Sequence, residues 1–110
     1  MELNHRGYWY TRTFPLPFTE VVICYFPAGS CTKIHDHDEC FNLNLVIAGE
    51  IIDQSYRSRN DKFKLIEENI LKPKAFSLVM PHQPHEMICN DLGGAITFNF
   101  HFPNRGAKLT

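Results

Sequence analysis

The sequence predicts an all-β domain of short antiparallel strands, a barrel or a sandwich. Turn residues recur along the chain, at 15–17, 27–30, 49, 57–61, 73, 81–84 and 90–94. The segments between them are short, and several are rich in β-branched and aromatic residues. Two of them alternate apolar with small or polar residues at a period of two, the period of a strand.

The elements follow in order. Tyr8, Tyr10 and Arg12 alternate, so they share one face of an extended segment. Segment 19–26 is the first long strand, with Cys24 between Ile23 and Tyr25 as a plain core position. In segment 41–47, Phe41, Leu43, Leu45 and Ile47 take one face and Asn42, Asn44 and Val46 the other. Segment 50–56 is a further strand. Segment 61–71 is the only candidate for a helix, although Phe63, Leu65, Ile66, Ile70 and Leu71 fit a 3.6-residue period poorly. Segments 75–80 and 85–89 are short strands. The last, 95–102, sets Ile96, Phe98, Phe100 and Phe102 against Ala95, Thr97, Asn99 and His101. Two readings of that alternation stand at this point: a barrel whose polar lumen holds a site, or a sandwich whose polar faces meet water.

Composition narrows the function. The chain has 110 residues and reads as one domain, 1–110. Eleven Lys and Arg against twelve Asp and Glu leave a net charge of −1, which argues against a nucleic-acid surface. No apolar run approaches the ~20 residues of a membrane span. The opening, Met1 to Arg6, carries no apolar signal segment, so a cytoplasmic protein is expected. Cys24, Cys31, Cys40 and Cys89 form no CxxC pair, and free thiols are expected.

Histidines carry the chemistry. In His35-Asp36-His37 the two imidazoles sit at i and i+2, which point the same way on a strand and can share one metal ion. His82 and His85 offer a third imidazole; His85 opens a strand whereas His82 lies in a turn, so His85 is the better ligand. Asp36 has the wrong parity for a ligand.

The stretch Gly29-x5-His35-x-His37-x4-Asn42-x6-Gly49 resembles the first motif of the cupin superfamily, and Lys74, Met80, His82, His85 and Cys89 give a weaker match to the second. That resemblance covers nearly the whole chain and implies a small antiparallel jelly-roll barrel holding a metal. Asn42 stands where the motif has a glutamate ligand, which leaves three histidines as the expected donors. Within the superfamily the chain is similar to the cysteine dioxygenases, which use three histidines. Tyr10-Thr11-Arg12, Ile34-His35-Asp36-His37 followed by Cys40-Phe41, His85, and the strand 95–103 carry this likeness.

The resemblance implies an iron(II) thiol dioxygenase. His35, His37 and His85 would hold the metal; zinc, nickel and copper also suit imidazole. Arg12 would grip a substrate carboxylate, with Tyr10 nearby. His101 would serve as a proton carrier or hydrogen-bond donor, with Asn99 on the same strand face. Cys40 or Asn42 would face the cavity. The family's thioether between a cysteine and a tyrosine is expected to be absent, because Thr97, Asn99 and His101 leave no tyrosine on that strand. The partners expected are a small thiol and dioxygen, with a homodimer as the assembly. Two rival functions are a cupin enzyme acting on another small acid or a diketone, and a non-catalytic cupin that binds a small molecule.

Overall fold

A computed structural model describes residues 2–3, 7–12, 19–37 and 39–102. Its strands, in chain order, are β1 (Glu2–Leu3), β2 (Trp9–Arg12), β3 (Glu20–Phe26), β4 (Phe41–Ala48), β5 (Ile51–Arg59), β6 (Lys62–Leu71), β7 (Phe76–Val79), β8 (His85–Ile88) and β9 (Ala95–Phe102). They form two antiparallel sheets, ordered β1-β2-β3-β9-β4-β7 and β6-β5-β8. The fold is all-β, and no helix among the described residues is long and apolar enough to cross a membrane.

Segment 61–71, the helix candidate, is the strand β6. Asn60 and Asp61 both take positive φ, 52° and 60°, between the paired residues Arg59 and Lys62. Two left-handed residues make the primed turn whose twist suits a two-residue hairpin, so the chain doubles back on β5 instead of coiling. A register shift between Ser55 and Tyr56 interrupts the pairing, which is why the apolar residues of β6 follow neither period cleanly. β6 is also a sheet edge, exposed from Lys62 to Ile70.

The alternation in β4 and β9 resolves with the polar faces inward. Asn42, Asn44 and Val46 of β4 and Ala95, Thr97, Asn99 and His101 of β9 are all buried. The apolar sets Phe41, Leu43, Leu45 and Ile47, and Ile96, Phe98, Phe100 and Phe102, take the outward positions, half-buried or exposed. The polar lumen is therefore the correct alternative, and the sandwich with wet polar faces is not.

Along the strands the lumen grades from polar to apolar. β3 points Glu20, Val22, Cys24 and Phe26 inward, in that order. β9 runs the opposite way and offers His101, Asn99, Thr97 and Ala95 in the same sense, because Glu20 pairs with His101 and Phe26 with Ala95. β8 contributes His85 then Met87, and β5 contributes Asp53 then Ile51. One end is thus an apolar floor of Phe26, Val46, Ile51, Leu71, Cys89 and Ala95, and the other end concentrates titratable and amide groups. Burial of the floor drives folding. Cys24 belongs to it, and burial pushes its thiol up to about 12, so it stays neutral.

Gly49 closes the turn after β4 with φ 76°. A Cβ there would collide with the carbonyl oxygen of Gly94 and the backbone of Ala95. Left-handed backbone alone costs a non-glycine residue ~1–3 kcal/mol. Gly49→Ala is expected to lower the melting temperature by roughly 10 °C or more, with an unchanged strand spectrum by circular dichroism. A fall of no more than a degree or two would show that the turn yields.

Candidate functional site

The three histidines meet through a backbone zipper. The segment after β3 runs antiparallel along β8: Gly29 N–H donates to Cys89 O at 2.7 Å, Cys89 N–H to Ser30 O at 2.9 Å, and Thr32 N–H to Met87 O at 2.9 Å. The Thr32 hydroxyl accepts from Met87 N–H at 3.0 Å. The zipper ends in a reciprocal pair, His35 N–H to His85 O at 3.0 Å and His85 N–H to His35 O at 2.8 Å. Fifty residues of sequence separate these two imidazoles, and one bridge sets their rings 4.5 Å apart, centroid to centroid. His35 sits at this single bridge and His37 in irregular chain beyond it. Their convergence thus comes from the bridge and the irregular chain that follows it, not from alternation along one strand.

His35, His37 and His85 form a group whose ligand atoms lie within 4.8 Å of one another and which can hold a metal ion. His85 is fully buried and His37 nearly so. The Nε2 atoms of His37 and His85 are 2.9 Å apart. Two nitrogens bound at right angles to one metal, each at ~2.0–2.1 Å, would lie roughly 3 Å apart. Backbone and carboxylate partners fix the tautomers. His35 Nδ1 is 2.8 Å from Lys33 O, a carbonyl that can only accept, so the proton is on Nδ1 and the Nε2 lone pair is available. His85 Nδ1 is 3.0 Å from Asp53 Oδ1, which fixes the same tautomer there. A ligating histidine needs this arrangement, with the far ring nitrogen donating to a fixed acceptor. The residues present therefore fit a divalent ion.

Asp53 is itself held. Ser77 donates from Oγ to Asp53 Oδ2 at 2.6 Å, and Asn44 Nδ2 lies 3.4 Å from the same hydroxyl. Asp53 and Ser77 are residues that the sequence did not single out. Asp53→Asn is expected to weaken metal binding ~10–100-fold, the usual effect of losing a ligand's hydrogen-bond partner. Titration of the metal-free protein with zinc or iron measures it; an unchanged affinity would remove Asp53 from the site.

Asn42, at the position of the motif's glutamate, is buried and places Nδ2 2.8 Å from His37 Nε2. Its Oδ1 is buried without a hydrogen-bond donor among the described residues. Cys40 is also buried, and its N–H donates to His37 O at 3.0 Å. His101 is buried with its ring 4.8 Å from that of His37. Its Nδ1 lies 3.6 Å from Oε1 of Glu20, a buried carboxylate that the sequence did not single out either.

Other sequence candidates lie farther along the barrel. Asn99 is one inward row nearer the floor, its Nδ2 donating to Thr97 Oγ1 at 3.0 Å and lying 3.0 Å from Cys24 Sγ. Tyr10 is two rows down, opposite Cys24 and packed against the core. The Tyr10–Arg12 stretch is thus the side strand β2. Arg12 pairs with Val22, and its side chain lies outside the described residues. His82 is an exposed turn residue with φ 60°, and Asp36 is exposed.

No protein-family model matches the chain, and no curated protein does. Solved structures do. KdgF from Halomonas sp. matches with a TM-score of 0.75 at 16% identity, over 93% of this chain and 84% of that one. An RmlC-like cupin from Shewanella frigidimarina matches with 0.71 at 18% identity, over 94% and 82%. An oxalate oxidase matches with 0.76 at 15% identity, over 91% of this chain and 53% of its own. At these identities the likeness is one of architecture: this chain has the cupin fold, a small antiparallel jelly roll with a histidine cluster inside one end.

Proposed function

We propose that this chain is an iron(II)-dependent thiol dioxygenase that oxidises a small carboxylate-bearing thiol, such as cysteine, to its sulfinate. The observation that carries the reading is the donor set. His35, His37 and His85 converge, two of them with their tautomers fixed for ligation, and the neighbouring position holds the amide Asn42. Three neutral imidazoles and an amide would bring no negative charge into contact with a divalent ion, the buried carboxylates Asp53 and Glu20 standing behind the rings of His85 and His101. A thiolate supplies that missing negative charge, and it is a soft ligand that suits iron.

Iron(II) held there would supply the electronic route by which both atoms of dioxygen are added to the thiolate sulfur, giving a sulfinate. The chain's own part is positional. Lys33 O orients His35, and Asp53 with Ser77 orients His85. Asn42 stands against His37 and presents Oδ1 to the bound molecule. His101 is a buried imidazole beside His37, where it holds a proton next to the substrate, and Glu20 steadies it. Arg12 would bind the substrate carboxylate by two parallel N–H bonds.

A second reading, oxidation of a small acid, is favoured by the fold match to an oxalate oxidase. One experiment separates the two. Iron-loaded protein is given cysteine, 3-mercaptopropionate, cysteamine, oxalate and glycolate under ¹⁸O₂, and oxygen uptake and products are followed. The thiol reading expects a sulfinate carrying both labelled oxygens. Uptake with an acid and none with any thiol would replace it by the second reading. No uptake with any compound, metal being bound, would leave a binding protein.

A further inference from the structure

We infer that the cleft between β6 and β7 binds a small organic cation, an ammonium carried on an apolar chain. β6 is an edge of one sheet and β7 an edge of the other. Between them lies a cavity of about 460 Å³, within the ~300–1,000 Å³ usual for small-molecule sites. Its base is polar. Asp53 of β5 pairs with Asn69 of β6 and Ser55 with Glu67, and these four residues line the cavity together with Ser77 of β7 and Gln83. Its sides are apolar: Ile66 and Ile70 on β6, Phe76 and Leu78 on β7, and Met80, all exposed. Asp53, Leu71 and Val79 are buried, which gives the cleft its depth.

Hydrogen-bonding capacity chooses the ligand. The donors at the base are engaged within the protein. Ser77 O–H donates to Asp53 Oδ2 at 2.6 Å and Asn69 Nδ2 to Glu67 Oε1 at 3.0 Å. Gln83 Nε2 donates to the carbonyl oxygens of Tyr56 and Pro84 at 2.7 and 3.2 Å. Acceptors remain, because an ionised carboxylate can take about four hydrogen bonds, and Asn69 and Gln83 add their amide oxygens. No Lys, Arg or His is among the described lining residues to balance Asp53 and Glu67. A ligand that fits must bring donors and positive charge to the base and hydrocarbon to the sides. A primary ammonium supplies three N–H donors and one charge, and its alkyl chain can lie along Ile70, Phe76 and Leu78. An anion or a purely apolar molecule would desolvate the carboxylates without pairing them. The cleft lies behind the histidine cluster: Asp53 bonds His85 Nδ1, whereas Nε2 on the far edge of that ring faces His37. The site is therefore separate from the metal position, and the inference does not depend on the metal or the reaction.

The probe is n-hexylammonium, titrated into the ¹⁵N-labelled full chain with and without zinc and followed by amide shifts. Saturable binding is expected in both forms, with the shifts centred on Ser55, Asn69 and Ser77. Hexylammonium should bind at least ~10-fold tighter than hexanol, which lacks the charge, and hexanoate should not bind. Shortening the chain to butylammonium should weaken binding roughly two- to four-fold per methylene removed. Glu67→Gln should weaken it ~10-fold or more, and because Glu67 is exposed the fold should be unchanged. Glu68 is also exposed and bonds Gln54 on the opposite face of the sheet, so Glu68→Gln should bind as the wild type does. The inference would be overturned by the lack of saturable binding, by hexanol or hexanoate binding as tightly as the amine, or by an affinity indifferent to Glu67→Gln. Binding that appears only with zinc present would also overturn it, by making the amine a metal ligand. So would an equal loss in Glu67→Gln and Glu68→Gln, which would show attraction to the acidity of β6 as a whole.

Discussion

Replacing His85 by alanine is expected to remove bound metal almost completely, with affinity falling by more than ~100-fold, beyond what the loss of an outer hydrogen-bond partner costs. His85 is fully buried at the start of β8, held through both backbone groups by His35 and through Nδ1 by Asp53. Its Nε2 lies 2.9 Å from His37 Nε2. No other described imidazole belongs to the converging group, since His82 is exposed in the turn before β8 and the ligand atoms that meet are those of His35, His37 and His85. Alanine also leaves Asp53 with one fewer donor in a buried place, which costs stability. His85→Gln keeps an Asp53 partner and separates ligand loss from unfolding. Metal per chain after dialysis against a weak chelator is the measurement, with His82→Ala as the control that should keep its metal. Full occupancy in a folded His85→Gln protein would show that His35 and His37 bind without it.

How much of this the sequence held differs between fold and site. The strands, the glycine frame and the histidine set were legible because turn chemistry and period-two alternation are local. Which face of β4 and β9 lies inside was not. Apolar residues normally point inward, and here Phe98, Phe100, Leu43 and Leu45 point out while Thr97, Asn99, Asn42 and Asn44 are buried. The inversion is sustained because several lumen side chains bond each other, as Asn99 does with Thr97 and Ser77 with Asp53. Glu20 and Asp53 escaped notice because an isolated carboxylate in a strand reads as solvated. A signal was nevertheless present: β3, β8 and β9 each carry one titratable residue at the same end of an otherwise apolar or neutral inward face, Glu20, His85 and His101. Three strands agreeing on one polar end mark a site more strongly than any residue alone.

Arg12→Lys and Arg12→Ala are expected to lose most activity on cysteine while iron content stays constant. Arg12 lies on β2 opposite Val22, in the cross-sheet row that continues through Asn99, Asn44 and Ser77. That row neighbours the one carrying Glu20, His101 and Asn42, two residues or ~7 Å along the strands. The proposal assigns the guanidinium to a carboxylate whose thiolate end is at the histidine cluster. Charge-assisted bonds of this kind contribute ~1.5–3 kcal/mol each, so losing the planar fork should lower kcat/KM for cysteine by one to three orders of magnitude. Lysine retains the charge and not the paired donors, and it should rescue little. Cysteamine has the same thiol and amine without a carboxylate, and its kcat/KM should change by less than a few-fold. The ratio of the two substrates across wild type, Arg12→Lys and Arg12→Ala is therefore the readout. An equal fall on both would place Arg12 in support of β2 and the barrel. No fall on either would detach the carboxylate from Arg12, and the anchor would then have to be sought among groups nearer the histidines.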